Sequence, residues 1–259
     1  MTRSVVSMTI DDALHYSSEE RKMIVDGYAP HERDARSKGI PTMGSGAVFP
    51  VSEDEITCEP FEIPIYWPRI AGIDFGWTHA TSVTWLAHDT DADIIYITDC
   101  YKVKETLIPV ICSAIKARGN YIPVSFPHDG LQVRDAMHGQ QLAKQYRNEG
   151  VNMLKKHAQF KRDKRAENQG SVTSVEAGLQ EMLTRMNTGR WKVFSNCNAW
   201  LEEFRMYHRK DGVIHKEYDD ALDSSRYAMM MLRYAKTLQM HKPKQLQSTW
   251  KPADPGMGY

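Results

Sequence analysis

Cysteine is scarce in this chain. The four present, Cys58, Cys100, Cys112 and Cys197, have neither metal-ligand spacing nor a paired pattern. That excludes a zinc ribbon or a disulfide framework and leaves them as reduced packing residues. Net charge is missing too: 33 Lys and Arg balance 33 Asp and Glu. Overall charge therefore gives no support to a nucleic-acid partner, and any basic surface must be local. No signal peptide and no apolar run long enough to cross a bilayer is found, so a soluble, intracellular protein is expected, without a membrane partner. No Gly-x-x-x-x-Gly-Lys-[Ser/Thr] loop occurs, which excludes a P-loop ATPase within these 259 residues. That length suffices for one good core with a small appendage.

What is there divides into three parts. Residues 1–50 look peripheral. Ser17 and Glu20 have capping-box spacing before a short helix over 18–25. The stretch 30–39 is highly charged and reads as a solvated linker. The core is expected from about Ile65. Runs 69–75, 81–88 and 93–101 are rich in β-branched and aromatic residues and separated by short turns, which predicts an antiparallel meander. Helical spacing follows over 106–118, then a buried strand over 121–126, a helix near 138–148 and a short strand near 151–154. Next come a helix over 173–186, a strand over 191–194 and a helix over 199–207. Asp211-Gly212 marks a hairpin, and a long helix is expected over 218–238. The last twenty or so residues, 239–259, read as a tail. This order suits an α/β fold with a ribonuclease H-like mixed sheet, an antiparallel three-strand meander plus parallel strands flanked by helices.

Three acidic sites stand out. Asp74 lies in the mostly apolar strand Arg69-Ile-Ala-Gly-Ile-Asp-Phe75, and a buried carboxylate is costly unless paired or bound to metal. Gly72 and Gly76 leave room for a ligand or another backbone. The alternative for Asp74 is a cap on the turn at Gly76. Asp129 follows the strand 121–126, where α/β sheets gather ligands, although an Asp-Gly turn explains it equally well. His128 beside it reads as a surface histidine. The third site is Glu217-Tyr-Asp219-Asp220-Ala-Leu-Asp223, at a helix start that favours acids through the macrodipole. Yet Asp220 and Asp223 share a face and repel each other, a cost that a bound cation offsets.

Oxygen ligands without a histidine or thiolate set point to Mg²⁺ or Mn²⁺ rather than zinc. Two such ions, about 3.5–4 Å apart, suit phosphodiester hydrolysis. The basic run holding Lys155, Lys156, Lys161, Arg162, Lys164 and Arg165 fits a phosphate-contacting, DNA-binding element. Its bland alternative is a solvated loop.

The segment 30–50, Ala71-Gly-Ile-Asp-Phe-Gly76 and Asp219-Asp-Ala-Leu-Asp-Ser-Ser-Arg-Tyr227 resemble the nuclease region of tailed-bacteriophage terminase large subunits, over roughly residues 25–235. That resemblance implies a ribonuclease H-like nuclease that uses two metal ions to cleave concatemeric viral DNA during genome packaging, in the host cytoplasm. It maps Asp74 to the first metal ligand, Asp129 to the second and the Asp220/Asp223 pair to the third. Members differ at the last position, so the direct ligand among Asp219, Asp220 and Asp223 stays open. The implied partners are double-stranded DNA, the ATPase motor domain of the same full-length protein, the portal and the small terminase subunit. With no motor in this chain, residues 1–50 are expected to be a connector from it and 51–238 the nuclease domain. Two rivals remain. One is an actin-like ATP-binding kinase or chaperone, which shares the opening strand and Asp-x-Gly loop. The other is a non-catalytic DNA-binding or assembly module.

Overall fold

A computed structural model of the chain describes residues 9–13, 15–28, 33, 37, 46–132, 140–161, 173–210 and 213–238. In chain order the elements are helix α1 (Ser18–Asp26), the single turn α2 (Glu53–Ile56), β1 (Thr57–Cys58), β2 (Arg69–Asp74), β3 (Thr81–Asp89), β4 (Ile94–Val103), α3 (Ile108–Ala117) and β5 (Val124–Ser125). They continue with α4 (Leu142–Asn148), α5 (Val175–Asn187), β6 (Trp191–Phe194), α6 (Asn198–Met206), the hairpin β7 (Arg209–Lys210) and β8 (Val213–Ile214), and α7 (Asp220–Met230). The fold is the expected α/β, ribonuclease H-like one. Six strands lie in the order β1-β6-β4-β3-β2-β5, with β2, β3 and β4 antiparallel and β5, β6 and β1 added in parallel. No helix among the described residues is long and apolar enough to cross a membrane.

Strand alternation sorts the core into two layers. Ala71 and Ile73 of β2, with Phe75 just after it, join Val83, Trp85, Ile111, Ile115 and Tyr146 on one face, under α3 and α4. Ile70, Leu86, Ile95 and Ile97 face the other way, against Trp191, Trp200, Leu222 and Met229 under α5, α6 and α7. The Ser17 side chain accepts from the Glu20 amide and Glu20 reaches back to the Ser17 amide, the capping box that starts α1. Residues 239–259, expected as a tail, lie outside the described residues.

Several expected boundaries move, each for a physical reason. The core starts before Ile65: Val48, Phe49, Val51 and Ile56 are buried, and Val48 N–H donates to the Tyr207 carbonyl. The strand expected over 121–126 pairs only at Val124 and Ser125, because Pro123 and Pro127 have no amide to donate. Residues 151–154 add one bridge, Met153 to Val124, rather than a strand. The long helix expected to 238 ends at Met230. Beyond a 3₁₀ turn, the Lys236 backbone exchanges two hydrogen bonds (2.8 and 2.9 Å) with Arg69, so tertiary pairing overrides the local helical pattern.

Helix α7 lies across β2 and β3 at very short range. A Cβ placed on Gly72 would stand 1.9 Å from the Ser224 carbonyl oxygen. The room at Gly72 is thus taken by another backbone, not by a ligand. Gly76 is the same case, with the carbonyls of His79 and Ala80 at 2.5 and 2.4 Å from its would-be Cβ. Polar side chains complete the seam. The Thr84 and Ser224 hydroxyls are 2.6 Å apart, Ser125 Oγ donates to the Tyr227 carbonyl (2.8 Å) and Trp200 Nε1–H donates to Ser225 Oγ (2.8 Å). Gly72→Ala is therefore expected to cost about 3 kcal/mol or more in urea unfolding, or to prevent folding. Gly189→Ala is the control: that residue has φ +70° and nothing within 4 Å, so it should cost roughly 1–2 kcal/mol. Equal losses would contradict the close seam.

Candidate metal centre at the start of the last helix

Asp74 is the final residue of β2 and shares the α7 side of that strand with Gly72. Its carboxylate does not cap the following turn. Thr81 does, its Oγ1 donating to the Gly76 carbonyl (2.7 Å) and accepting from the Gly76 amide (3.2 Å). Among the described residues no donor reaches the Asp74 carboxylate. Asp129 sits on the 3₁₀ turn His128–Leu131 that follows β5, and Asp219, Asp220 and Asp223 lie at or near the start of α7. All five aspartates line one cavity of about 610 Å³, together with His79, Lys102, Lys104, Lys216 and Glu217. The four expected site residues, Asp74, Asp129, Asp220 and Asp223, are thereby brought together. No three His, Cys, Asp or Glu side chains among the described residues converge as a ready-made cage. The carboxylates ring the cavity instead.

The electrostatics follow from that ring. Burial pushes the Asp74 carboxyl well above the usual carboxylate range, and Asp223, Asp129, Asp220 and Asp219 push it further. Burial, then Asp223 and Asp220, raise Asp219 to about 6. The Asp219 side chain does not cap α7. That task falls to Glu203 of α6, 2% exposed, whose Oε2 accepts from the Ala221 and Leu222 amides (2.7 and 3.2 Å). Just before α7, Tyr218 holds φ +60°, a strained conformation for a bulky side chain.

The repulsion expected between Asp220 and Asp223 is offset inside the protein. Asp220 pairs with Lys102 Nζ (2.9 Å), with His79 Nδ1 at 3.5 Å. Asp223 accepts from Arg226 Nη2 (2.8 Å) and Nε (3.2 Å) and from the Tyr227 hydroxyl (3.1 Å). Burial alone would lower the Lys102 pKa, but its contacts with Glu203 and Asp220 raise it above the ordinary lysine value. Lys102, Glu203 and His79 escaped the sequence reading. Glu203 left a faint signal, a carboxylate among Trp200, Leu201 and Phe204 on the buried face of α6. Lys102 left none, since its partners lie on α6 and α7.

The described part of the basic run, residues 155–161, is beside the cavity rather than in it. Lys155 and Lys156 are exposed, the Ala158 amide donates to the Phe126 carbonyl (2.7 Å), and His157 meets His128 edge-on at 5.0 Å. The segment thus runs alongside the Asp129 turn, and His128 is exposed as expected. Lys161 is exposed; Arg162, Lys164 and Arg165 lie outside the described residues.

A ribonuclease H-like sheet with aspartates gathered from the end of β2, the turn after β5 and the start of α7 defines an acidic-site class of domain. Within that class, the chain belongs to the terminase RNaseH-like domain family, whose model matches residues 71–232. It is 42% identical over 246 residues to the large terminase subunit of Salmonella phage P22, covering 94% of this chain and 48% of that one. The chain spans about half the length of the curated relatives it matches. The solved P22 large terminase nuclease domain is 41% identical with a TM-score of 0.66, over 76% of this chain and 97% of that one. The large terminase nuclease of thermophilic phage G20c, solved with bound cobalt, is 20% identical with a TM-score of 0.50, over 72% of this chain and 97% of that one. At that identity the likeness is one of fold.

A carboxyl whose pKa folding raises contributes stability fully below its unfolded pKa, and that contribution is lost as pH rises through the folded value. Asp74 should therefore destabilise the metal-free protein at neutral pH relative to acid, because burial and the neighbouring aspartates disfavour its ionised form. In EDTA at pH 7.5, Asp74→Asn is expected to melt a few degrees above the parent, since about 1 kcal/mol shifts Tm by roughly 2–4 °C in a domain of this size. The gain should vanish near pH 4. A variant that melts with or below the parent at pH 7.5 would contradict the crowding.

Proposed function

We propose that this domain is a metal-dependent DNA endonuclease that cleaves concatemeric viral DNA during genome packaging. The observation that carries the proposal is a half-buried Asp74 carboxylate with four other aspartates around one cavity. Those residues fit hard divalent cations in donor chemistry, offering oxygen where zinc would favour nitrogen or sulfur. Asp74, Asp129, Asp220 and Asp223 would hold two Mg²⁺ or Mn²⁺ ions, with Asp219 beside them. When bound, such ions activate a water and stabilise the leaving oxygen of a phosphodiester. The protein's own part is positioning. Glu203 anchors the start of α7, Arg226 and Tyr227 orient the Asp223 carboxylate, and Gly72 lets the helix sit close enough to face Asp74.

Lys155, Lys156, Lys161, Arg162, Lys164 and Arg165 would contact the phosphates of double-stranded DNA along the Asp129 side. The similarity to the P22 large terminase subunit supports a wider setting. There the domain would act in the host cytoplasm, joined to an ATPase motor of the same full-length protein and working with a portal and a small terminase subunit.

Supercoiled plasmid with Mn²⁺ or Mg²⁺ and no nucleotide tests the reading. Nicking and linearisation are expected, abolished by EDTA and reduced at least 10³-fold in Asp74→Asn, which keeps shape and removes charge. ATP consumption without cutting would favour the actin-like reading, and DNA binding alone the assembly module. Replacing the six basic residues by Ala is expected to weaken plasmid binding on any sequence and flatten its salt dependence, with Mn²⁺ affinity unchanged. Unaltered binding would remove that segment from the interface.

A further inference from the structure

Of the lysines that line the acidic cavity, one is held directly against its carboxylates. Lys102 comes from β4, opposite Ser82 of β3, and its side chain is 24% exposed. Its Nζ contacts Glu203 Oε1 and stands 2.9 Å from Asp220 Oδ2. Glu203 is fixed in turn by the Ala221 and Leu222 amides, and its side chain is 3% exposed. The ammonium is therefore not a mobile surface charge that swings aside. It is clamped between carboxylates of two helices, at the wall of the cavity that also holds Asp74, Asp129, Asp219 and Asp223.

We infer that Lys102 is a built-in competitor for the divalent ions, neutralising Asp220 in the metal-free protein and setting how much metal is needed to fill the site. The inference rests on the proposal that this cavity takes divalent cations. Its physical basis is like-charge repulsion at short range in a partly desolvated site, where screening by salt is weak. Asp220 would then be shared. It belongs to Lys102 when metal is absent and is drawn upon only when a divalent ion outcompetes the ammonium. A lysine serving only to tie β4 to α6 and α7 predicts the opposite outcome, since its loss would loosen the site and weaken metal binding.

The test is a calorimetric Mn²⁺ titration of the DNA-free protein, paired with the Mn²⁺ dependence of its melting temperature. Lys102→Met keeps the apolar stem and removes the charge. It is expected to bind Mn²⁺ about tenfold more tightly or better, and to reach its saturated thermal shift at correspondingly lower metal. Lys102→Arg keeps the charge and should stay within about threefold of the parent. The single Met variant leaves Glu203 buried without its ammonium and could fail to fold. Lys102→Met/Glu203→Gln covers that case, replacing a neutralised pair by a neutral one while Gln keeps an oxygen for the Ala221 and Leu222 amides. Equal or weaker Mn²⁺ binding in a folded charge-free variant would overturn the inference. If the parent binds no Mn²⁺ at millimolar concentration and a charge-free variant does, the inference stands in its strongest form. If neither binds, the divalent-ion reading of the cavity itself falls, and the inference with it.

Discussion

The close seating of α7 on β2 and β3 is the constraint on which the rest of the structure depends. It is possible only because Gly72 has no side chain where the Ser224 carbonyl lies. That approach brings the helix start to the end of β2, so that Asp219, Asp220 and Asp223 face Asp74 across a single cavity. The crowding is unfavourable in itself, since it drives the Asp74 carboxyl upward and raises Asp219 to about 6. A fold that accepts such a cost at one point offsets it elsewhere, here by two buried hydrophobic layers and a satisfied polar seam.

The cavity is acidic but not uniformly so. Protein cations already serve Asp220 and Asp223, through Lys102 and Arg226. One comes from β4 and the other from within α7 itself. Arg226 is 2% exposed and holds its carboxylate in a fork, an arrangement that fixes orientation. Lys102 meets Asp220 through a single ammonium beside Glu203. The two pairs thus divide between orienting a carboxylate and competing for one.

Much of the fold was legible because the β2–β4 meander combines β-branched runs with short polar turns, and β-pairing follows that pattern directly. The Ser17 capping box and the pairing of β7 with β8 were readable for similar local reasons. What was not legible depended on distant partners. The early core at Val48 and Phe49 needs Tyr207 and Phe204 to bury it, and α7 stops at Met230 because Lys236 returns to Arg69. The site divides along the same line. Its carboxylates were conspicuous as acids in places that local structure does not require. Its cations were invisible, because Lys102 acquires meaning only when α6 and α7 bring Glu203 and Asp220 to it. Capping of α7 by Glu203 rather than by Asp219 belongs to the same group.

Membership in the terminase RNaseH-like domain family agrees with this arrangement, and the physics adds why the aspartates need company. The most direct measurement is a crystal structure of the Mn²⁺-soaked protein with anomalous diffraction recorded at the manganese edge. Anomalous peaks in direct contact with Asp74 and at least one aspartate near the start of α7 are expected. A cavity without peaks at millimolar Mn²⁺, or peaks bound only elsewhere on the surface, would contradict a shared divalent-ion site.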